Sequence, residues 1–381
     1  MKFTLNSSIA FLLLASLPAY MLAKPVDTYF GTAGDGGILH AIFDDDTGNL
    51  TTPTKAADAE SAGFIAIHPS GQSLYATARS AKSRIGEVIG FKINSDKTLT
   101  VINQQSSKGR NPCHVIIDGS GKTLAVANYM SEASIAAYSI SPTGELSQAT
   151  SVHTHVGSGQ DPKRQTSPHP HSIYANPVGT FFYAADLGAD KVFIYAHDSE
   201  ESTLTAVGNI DIPGGSKGVR HMKFSSDGEF LYVLNELSLD ISTLSADPKT
   251  GALKYIESTP ALPKDADHER ISAPEIRIHP NGKYIYSAKR DLNKKGRDSI
   301  SVFARDAQSG RIQLINSVSA QVSIPRNFNI LPNGKWMLVG GQGSNEIAIF
   351  KIDPDTGALE KYGSNIPTDA GITCIDFLET N

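Results

Sequence analysis

Short apolar runs separated by polar turns recur along the chain at a nearly constant interval. The stretches "GFIAIHPSGQSLYATAR" from Gly63, "CHVIIDGSGKTLAVANY" from Cys113 and "HSIYANPVGTFFYAADL" from His171 share one pattern. "RHMKFSSDGEFLYVLNE" from Arg220, "EIRIHPNGKYIYSAKRD" from Glu275 and "RNFNILPNGKWMLVGGQ" from Arg326 repeat it. Each reads as an alternating strand, a turn closed by glycine, and a second, more continuously apolar strand. The turn glycines Gly71, Gly121, Gly179, Gly228, Gly282 and Gly334 are 50, 58, 49, 54 and 52 residues apart. A third strand follows in each unit ("ASIAAYSI", "DKVFIYAHD", "DSISVFARD", "NEIAIFKID"), then a turn such as "DPKTGAL" and a more polar fourth strand.

Four short antiparallel strands per unit of about 50 residues predict an all-β fold, a β-propeller of four-stranded blades. Six units are complete. The segment "DTYFGTAGDGGILHAIFDDDTGNL" supplies only second and third strands, and the terminal "GITCIDFLE" only a first strand. Joined, they predict a seventh blade closed by strands from both ends of the chain. The opening "MKFTLNSSIAFLLLASLPAYMLAKP" reads as a signal peptide over residues 1–23, cut near Ala23. The remaining 24–381 then form one propeller domain with seven units of about 51 residues. This predicts an exported protein, periplasmic or secreted, with no membrane attachment after cleavage.

The net charge of −5, from 34 basic and 39 acidic residues, gives no basic surface for nucleic acid. The two cysteines, Cys113 and Cys374, have no zinc spacing. By repeat position they fall on inner strands of non-neighbouring blades, so both are expected reduced and buried rather than bridged.

Charged residues recur where a propeller's inner strands approach one mouth of the central channel. Eight positions before the turn glycine stand His171, Arg220 and Arg326; seven before it stand His114, His221, Glu275 and Asn327. Asn128, Asp186, Asn235, Glu236, Arg290 and Gln342 end the second strands. Any one such residue is ordinarily solvated or structural. The whole set at matching positions points instead to a polar cavity, because buried charges are costly without partners or a ligand.

With these pieces the chain resembles the lactonase family of seven-bladed propellers, which contains bacterial 6-phosphogluconolactonases and carboxy-muconate lactonizing enzymes. "SPHPHSIYANPVGTFFYAADLGADKVFIY", "GVRHMKFSSDGEFLYVLNEL", "APEIRIHPNGKYIYSAKR" and "GITCIDF" carry the resemblance. It implies a catalytic set of His171, Arg220, Glu236 and Arg290; His114, His221, Glu275 and Arg326, which stand at the matching repeat positions, are the candidate substrate-binding neighbours. Lys289 and Asp291 stand where relatives tend to have asparagine and glycine.

The implied activity is hydrolysis of a sugar-type lactone, a small-molecule substrate, with no cofactor and no metal. Arginines would grip an anion and stabilise the oxyanion, while Glu236 or His171 takes a proton from water. The one Gly-x-Ser-x-Gly string, "GGSKG" at 214–218, lacks the strand-to-helix setting of a nucleophile elbow in a chain that reads as all-β, which favours direct water attack. The alternative is a non-catalytic propeller that binds a small anionic ligand or a protein partner. Sequence alone leaves the oligomeric state open.

Overall fold

The computed structural model describes residues 25–79, 85–130 and 133–378. The expected signal peptide lies outside the described residues. No helix among the described residues is long and apolar enough to cross a membrane.

Seven antiparallel sheets form the molecule. Blade 1 begins with Ile65–Ile67, blade 2 with Pro112–Ile117, blade 3 with Pro170–Ala175 and blade 4 with Val219–Phe224. Blade 5 has a split inner strand, Ile271–Ser272 and Ile276–Ile278, and blade 6 begins with Pro325–Ile330. Blade 7 takes its inner strand, Ile372–Leu378, from the C-terminus and Pro25–Thr32, Ile38–Asp44 and Thr54–Ala57 from the N-terminus. The closure is as the sequence predicts, with one addition: the N-terminal part supplies a fourth strand as well.

The burial of each strand follows its composition. Second strands such as Thr123–Asn128, Phe230–Asn235 and Trp336–Gly341 are buried on both faces, which their unbroken apolar runs require. Fourth strands such as Thr203–Asp211 are largely exposed and read as polar. The hairpin glycines sit at positive φ, for example +75° at Gly228, a conformation that a side chain would strain.

Neighbouring blades are also pinned by a repeated polar contact. Tyr75, Tyr183, Tyr232 and Tyr286 on second strands donate their hydroxyls to the carbonyls of Gly144, Gly251, Gly310 and Gly357 in the next blade, at 2.8–3.0 Å. Tyr29 does the same to the Lys97 carbonyl across the closure. Each buried ring fills the gap between two sheets while its hydroxyl finds a partner, worth about 1 kcal/mol net beyond the packing.

Both cysteines are free. They stand on blades 2 and 7, with blade 1 between them, and Cys374 is buried as expected. Cys113 departs from expectation: it is only half-buried, because the strand register turns it toward the channel mouth.

Candidate active site

A local irregularity shared by the inner strands builds the site. In blade 2 Pro112 pairs with Asn128 and His114 with Ala127, so Cys113 is passed over. The same slip passes over His171 in blade 3, Arg220 in blade 4, Arg326 in blade 6 and Thr373 in blade 7. In blade 5, Ser272 pairs with Arg290 and Ile276 with Ser287, and Pro274 falls in the break. An extra residue of this kind bends the strand and re-aims its side chain. Consecutive residues such as Arg220 and His221 therefore both reach the channel, which an unbroken pleat would forbid.

The redirected side chains meet in a cavity of about 290 Å³ at the mouth of the channel. Its wall includes Cys113, His171, Arg220, His221, Glu236, Arg290 and Arg326, together with Tyr129, Arg164 and Gln342. Glu236 is the hub. Its Oε2 accepts from Arg220 Nη1 at 2.8 Å, while its Oε1 faces Arg164 Nη2 at 3.0 Å and Arg290 Nη2 at 3.3 Å. Arg220 is fixed further by Nε donating to the Pro274 carbonyl at 2.8 Å and by a contact from Nη1 to His171 Nε2. Arg290 is steadied by Ser272 Oγ at 3.1 Å.

The electrostatics follow from this crowding. Burial alone would raise the Glu236 carboxyl, but Arg220, Arg290 and Arg164 more than reverse that and hold it well below the usual carboxylate range. Burial, helped by Arg220, pushes the His171 imidazolium well down, so the ring is neutral. Burial lowers Arg290 to about 9 against the pull of Glu236, and lowers Arg326 to about 10 with Arg220 adding to it. Arg326 has no hydrogen-bond or ion-pair partner among the described residues. Burial likewise pushes the Cys113 thiol up to about 12, which leaves it without thiolate character at neutral pH.

Not every expected residue reaches the wall. His114 and Glu275 stand one layer deeper, closed off beneath His221. Glu275 takes His221 Nδ1 at 3.1 Å, Asn327 Nδ2 at 2.5 Å, the Ile276 amide at 2.9 Å and an ion pair from Arg277. Asp186, Asn128 and Asn235 are structural: Asp186 binds His155 at 2.7 Å, and the two amides brace nearby loop and strand groups. Lys289 turns into its own sheet, onto Ser287 and Ser301, and Asp291 pairs with Arg297. Neither lines the cavity. Among the described residues no group of three or more His, Cys, Asp or Glu is placed to hold a metal ion.

Sequence reasoning missed Arg164 and Tyr129. Arg164 lies between Ser151–His153 and Pro170–Ala175, in the unit whose 58-residue spacing exceeds the others. That excess length was the available signal.

Comparison with known proteins agrees with this geometry. The model of the seven-bladed β-propeller lactonase family matches residues 27–377. A 6-phosphogluconolactonase from Formosa agariphila is 32% identical over 329 residues, covering 85% of this chain and 91% of the relative. One from Bacillus subtilis is 28% identical over 355 residues, covering 92% and 97%. The solved structure of a periplasmic gluconolactonase from Pseudomonas aeruginosa superposes with a TM-score of 0.84 at 25% identity, over 93% of this chain and 99% of that one. The lactone-hydrolase class implied by the sequence motifs is the class named for these relatives. With this blade count, this strand closure and a family match over residues 27–377, the protein belongs to the seven-bladed β-propeller lactonase family.

Proposed function

We propose that the protein hydrolyses an anionic, sugar-type lactone in the cavity around Glu236. The observation that carries this reading is the charge imbalance of the wall. Arg164, Arg220, Arg290 and Arg326 converge on one carboxylate, and Arg326 has no counter-ion among the described residues. Desolvated cations in excess of their partners favour an anionic ligand. Planar guanidinium groups suit a phosphate or carboxylate held by two parallel hydrogen bonds.

In the proposed step, a water oxygen bonds to the lactone carbonyl carbon and its proton passes to the Glu236 carboxylate. The carbonyl oxygen becomes an oxyanion facing the arginines, where fixed positive charge stabilises it. The ring carbon–oxygen bond then breaks, and Glu236 returns the proton to the departing alkoxide. Neutral His171, against Arg220, holds that guanidinium in place. The product is the open-chain hydroxy acid. The signal-like N-terminus and the periplasmic relative together support action outside the cytoplasm.

The test is a pH-stat screen of residues 24–381 against phosphorylated, carboxylated and neutral lactones. Acid release fastest with an anionic lactone is the expected result. Anion binding without acid release from any lactone would replace the enzyme by a binding propeller.

A further inference from the structure

We propose that Arg164 is an exchangeable arm: it pairs with Glu236 and transfers to the anionic group of an incoming lactone, which frees Glu236 to act as the base. The inference rests on the anionic-lactone reading above and assigns selectivity within it to one residue.

The three cations on Glu236 are held very differently. Arg220 is 2% exposed and bonded through Nε to the Pro274 carbonyl and through Nη1 to His171. Arg290 is tied by Nε to Ser272 Oγ. Arg164 is 39% exposed at the rim, and among the described residues its head group meets Glu236 and, at 3.2 Å, the Tyr129 hydroxyl.

Its root, in contrast, is fixed. Asp161 Oδ1 accepts from the amides of Lys163 and Arg164, at 2.8 and 2.9 Å. The Gln165 side chain donates to the Leu187 carbonyl at 2.8 Å. A long side chain on a rigid turn, with a half-solvated ion pair at its tip, changes partners at little cost.

The exchange has a chemical consequence. The groups facing Glu236 are Arg220 and His171 from inner strands, Arg290 from a second strand, Arg326 from blade 6, Arg164 from its loop, and Tyr129 with Cys113 beyond. Under three guanidinium groups the carboxylate is too weak a base for efficient proton abstraction. Removing one cation, and placing a substrate anion beside the rest, raises its basicity. An anionic lactone thus activates its own base, whereas a neutral lactone meets a clamped carboxylate. Selectivity then appears in kcat as well as in KM.

The experiment compares wild type, Arg164→Gln and Arg164→Lys on 6-phosphogluconolactone and on unphosphorylated gluconolactone, with full pH profiles and melting curves. Arg164→Gln should raise KM for the phosphorylated lactone by roughly 10- to 100-fold, the loss of one charge-assisted contact. The same variant should raise kcat on the neutral lactone and move the acid limb of that profile to higher pH. Arg164→Lys should recover part of the KM and leave the acid limb at its wild-type position, because the positive charge on Glu236 is kept. Equal losses on both lactones with an unmoved acid limb would overturn the exchange. If wild type hydrolysed neither lactone, the hydrolase reading and the base activation would fall together. Titration with 6-phosphogluconate would then decide the arm alone: weaker binding by Arg164→Gln supports it, and unchanged binding overturns it.

Discussion

Two buried carboxylates occupy successive layers of the same channel, and their surroundings differ in one decisive respect. Glu275, in the lower layer, is fully buried and met by an arginine, a histidine, an asparagine and a backbone amide. Its partners come from adjoining inner strands, and no opening reaches it. Glu236, in the upper layer, is 1% exposed yet borders the cavity, with three arginines bound and a fourth unpaired beside it. Both are held well below the usual carboxylate range by cations that overcome burial. In the lower cluster Glu275 itself is saturated with partners and its charge is matched by Arg277, although Nε2 of His114 and of His221 finds no partner among the described residues. The upper one has more positive charge than its single carboxylate can balance. A buried ionic group that closes on itself is a structural joint, while one left unbalanced beside a cavity has room for the missing anion.

Exchanging charge for an amide in each layer should separate the two roles. Glu236→Gln keeps shape but loses the base, so turnover should fall by about two to four orders of magnitude. The arginines it leaves behind border the cavity, where water and buffer anions reach them, so the fold should survive. Glu275→Gln removes the counter-ion of Arg277, a largely buried guanidinium, and breaking such a pair costs on the order of 3–5 kcal/mol. Its melting temperature should drop well below that of Glu236→Gln, while kcat of the folded fraction changes far less. If Glu236→Gln instead lost stability and kept its turnover, the assignment of the two layers would be reversed.

That contrast was only partly legible in the sequence. The blade repeat could be read because alternation, turn glycines and apolar second strands are local signals. His171, Arg220 and Arg326 stand eight residues before the turn glycine, and His114, His221 and Glu275 seven. This one-residue offset separates the layers only in part: His114 and Glu275 lie deeper, while His221 and Asn327 still border the cavity. The sequence grouped both sets at one mouth because the passed-over residue in each inner strand is defined by pairing across the sheet, not by local composition. Arg164 was hidden for a different reason. It belongs to a segment with no counterpart in other blades, so no periodicity could point to it.

Arg326 provides a sharper probe of the imbalance itself. If its free guanidinium is the place for the substrate anion, Arg326→Ala should raise KM for an anionic lactone by roughly 10- to 100-fold. The fold should not suffer, since no ion pair among the described residues is broken and the side chain is only partly buried. A fall in stability with KM unchanged would show that Arg326 serves the barrel and not the ligand.

The smallest effect expected is in the pH dependence of stability, where Glu275 and its neighbour Asp376 should act in opposite directions. Asp376 lies on the inner strand of blade 7, its carboxylate accepting from the amides of Ile67 at 2.9 Å and Phe377 at 3.1 Å. Burial raises it to about 6 despite those bonds and despite Arg277 and Lys223. The folded protein therefore holds this proton more tightly than the unfolded chain, whose aspartate titrates near 3.8. Its contribution is complete below that value and is lost as pH rises through about 6. Glu275 is depressed instead, so its contribution is present above the unfolded glutamate value of 4.5 and is lost on acidification. Asp376→Asn should accordingly stabilise the protein at pH 8, by on the order of 1–2 kcal/mol after allowance for solvent reaching the half-buried group. It should leave stability at pH 4 nearly unchanged, so that the fall in stability that Asp376 causes between pH 4 and 6 in wild type is absent from the variant. Melting curves across this range test the sign directly: an equal loss at both pH values would mean that the two amide hydrogen bonds outweigh the cost of the buried charge.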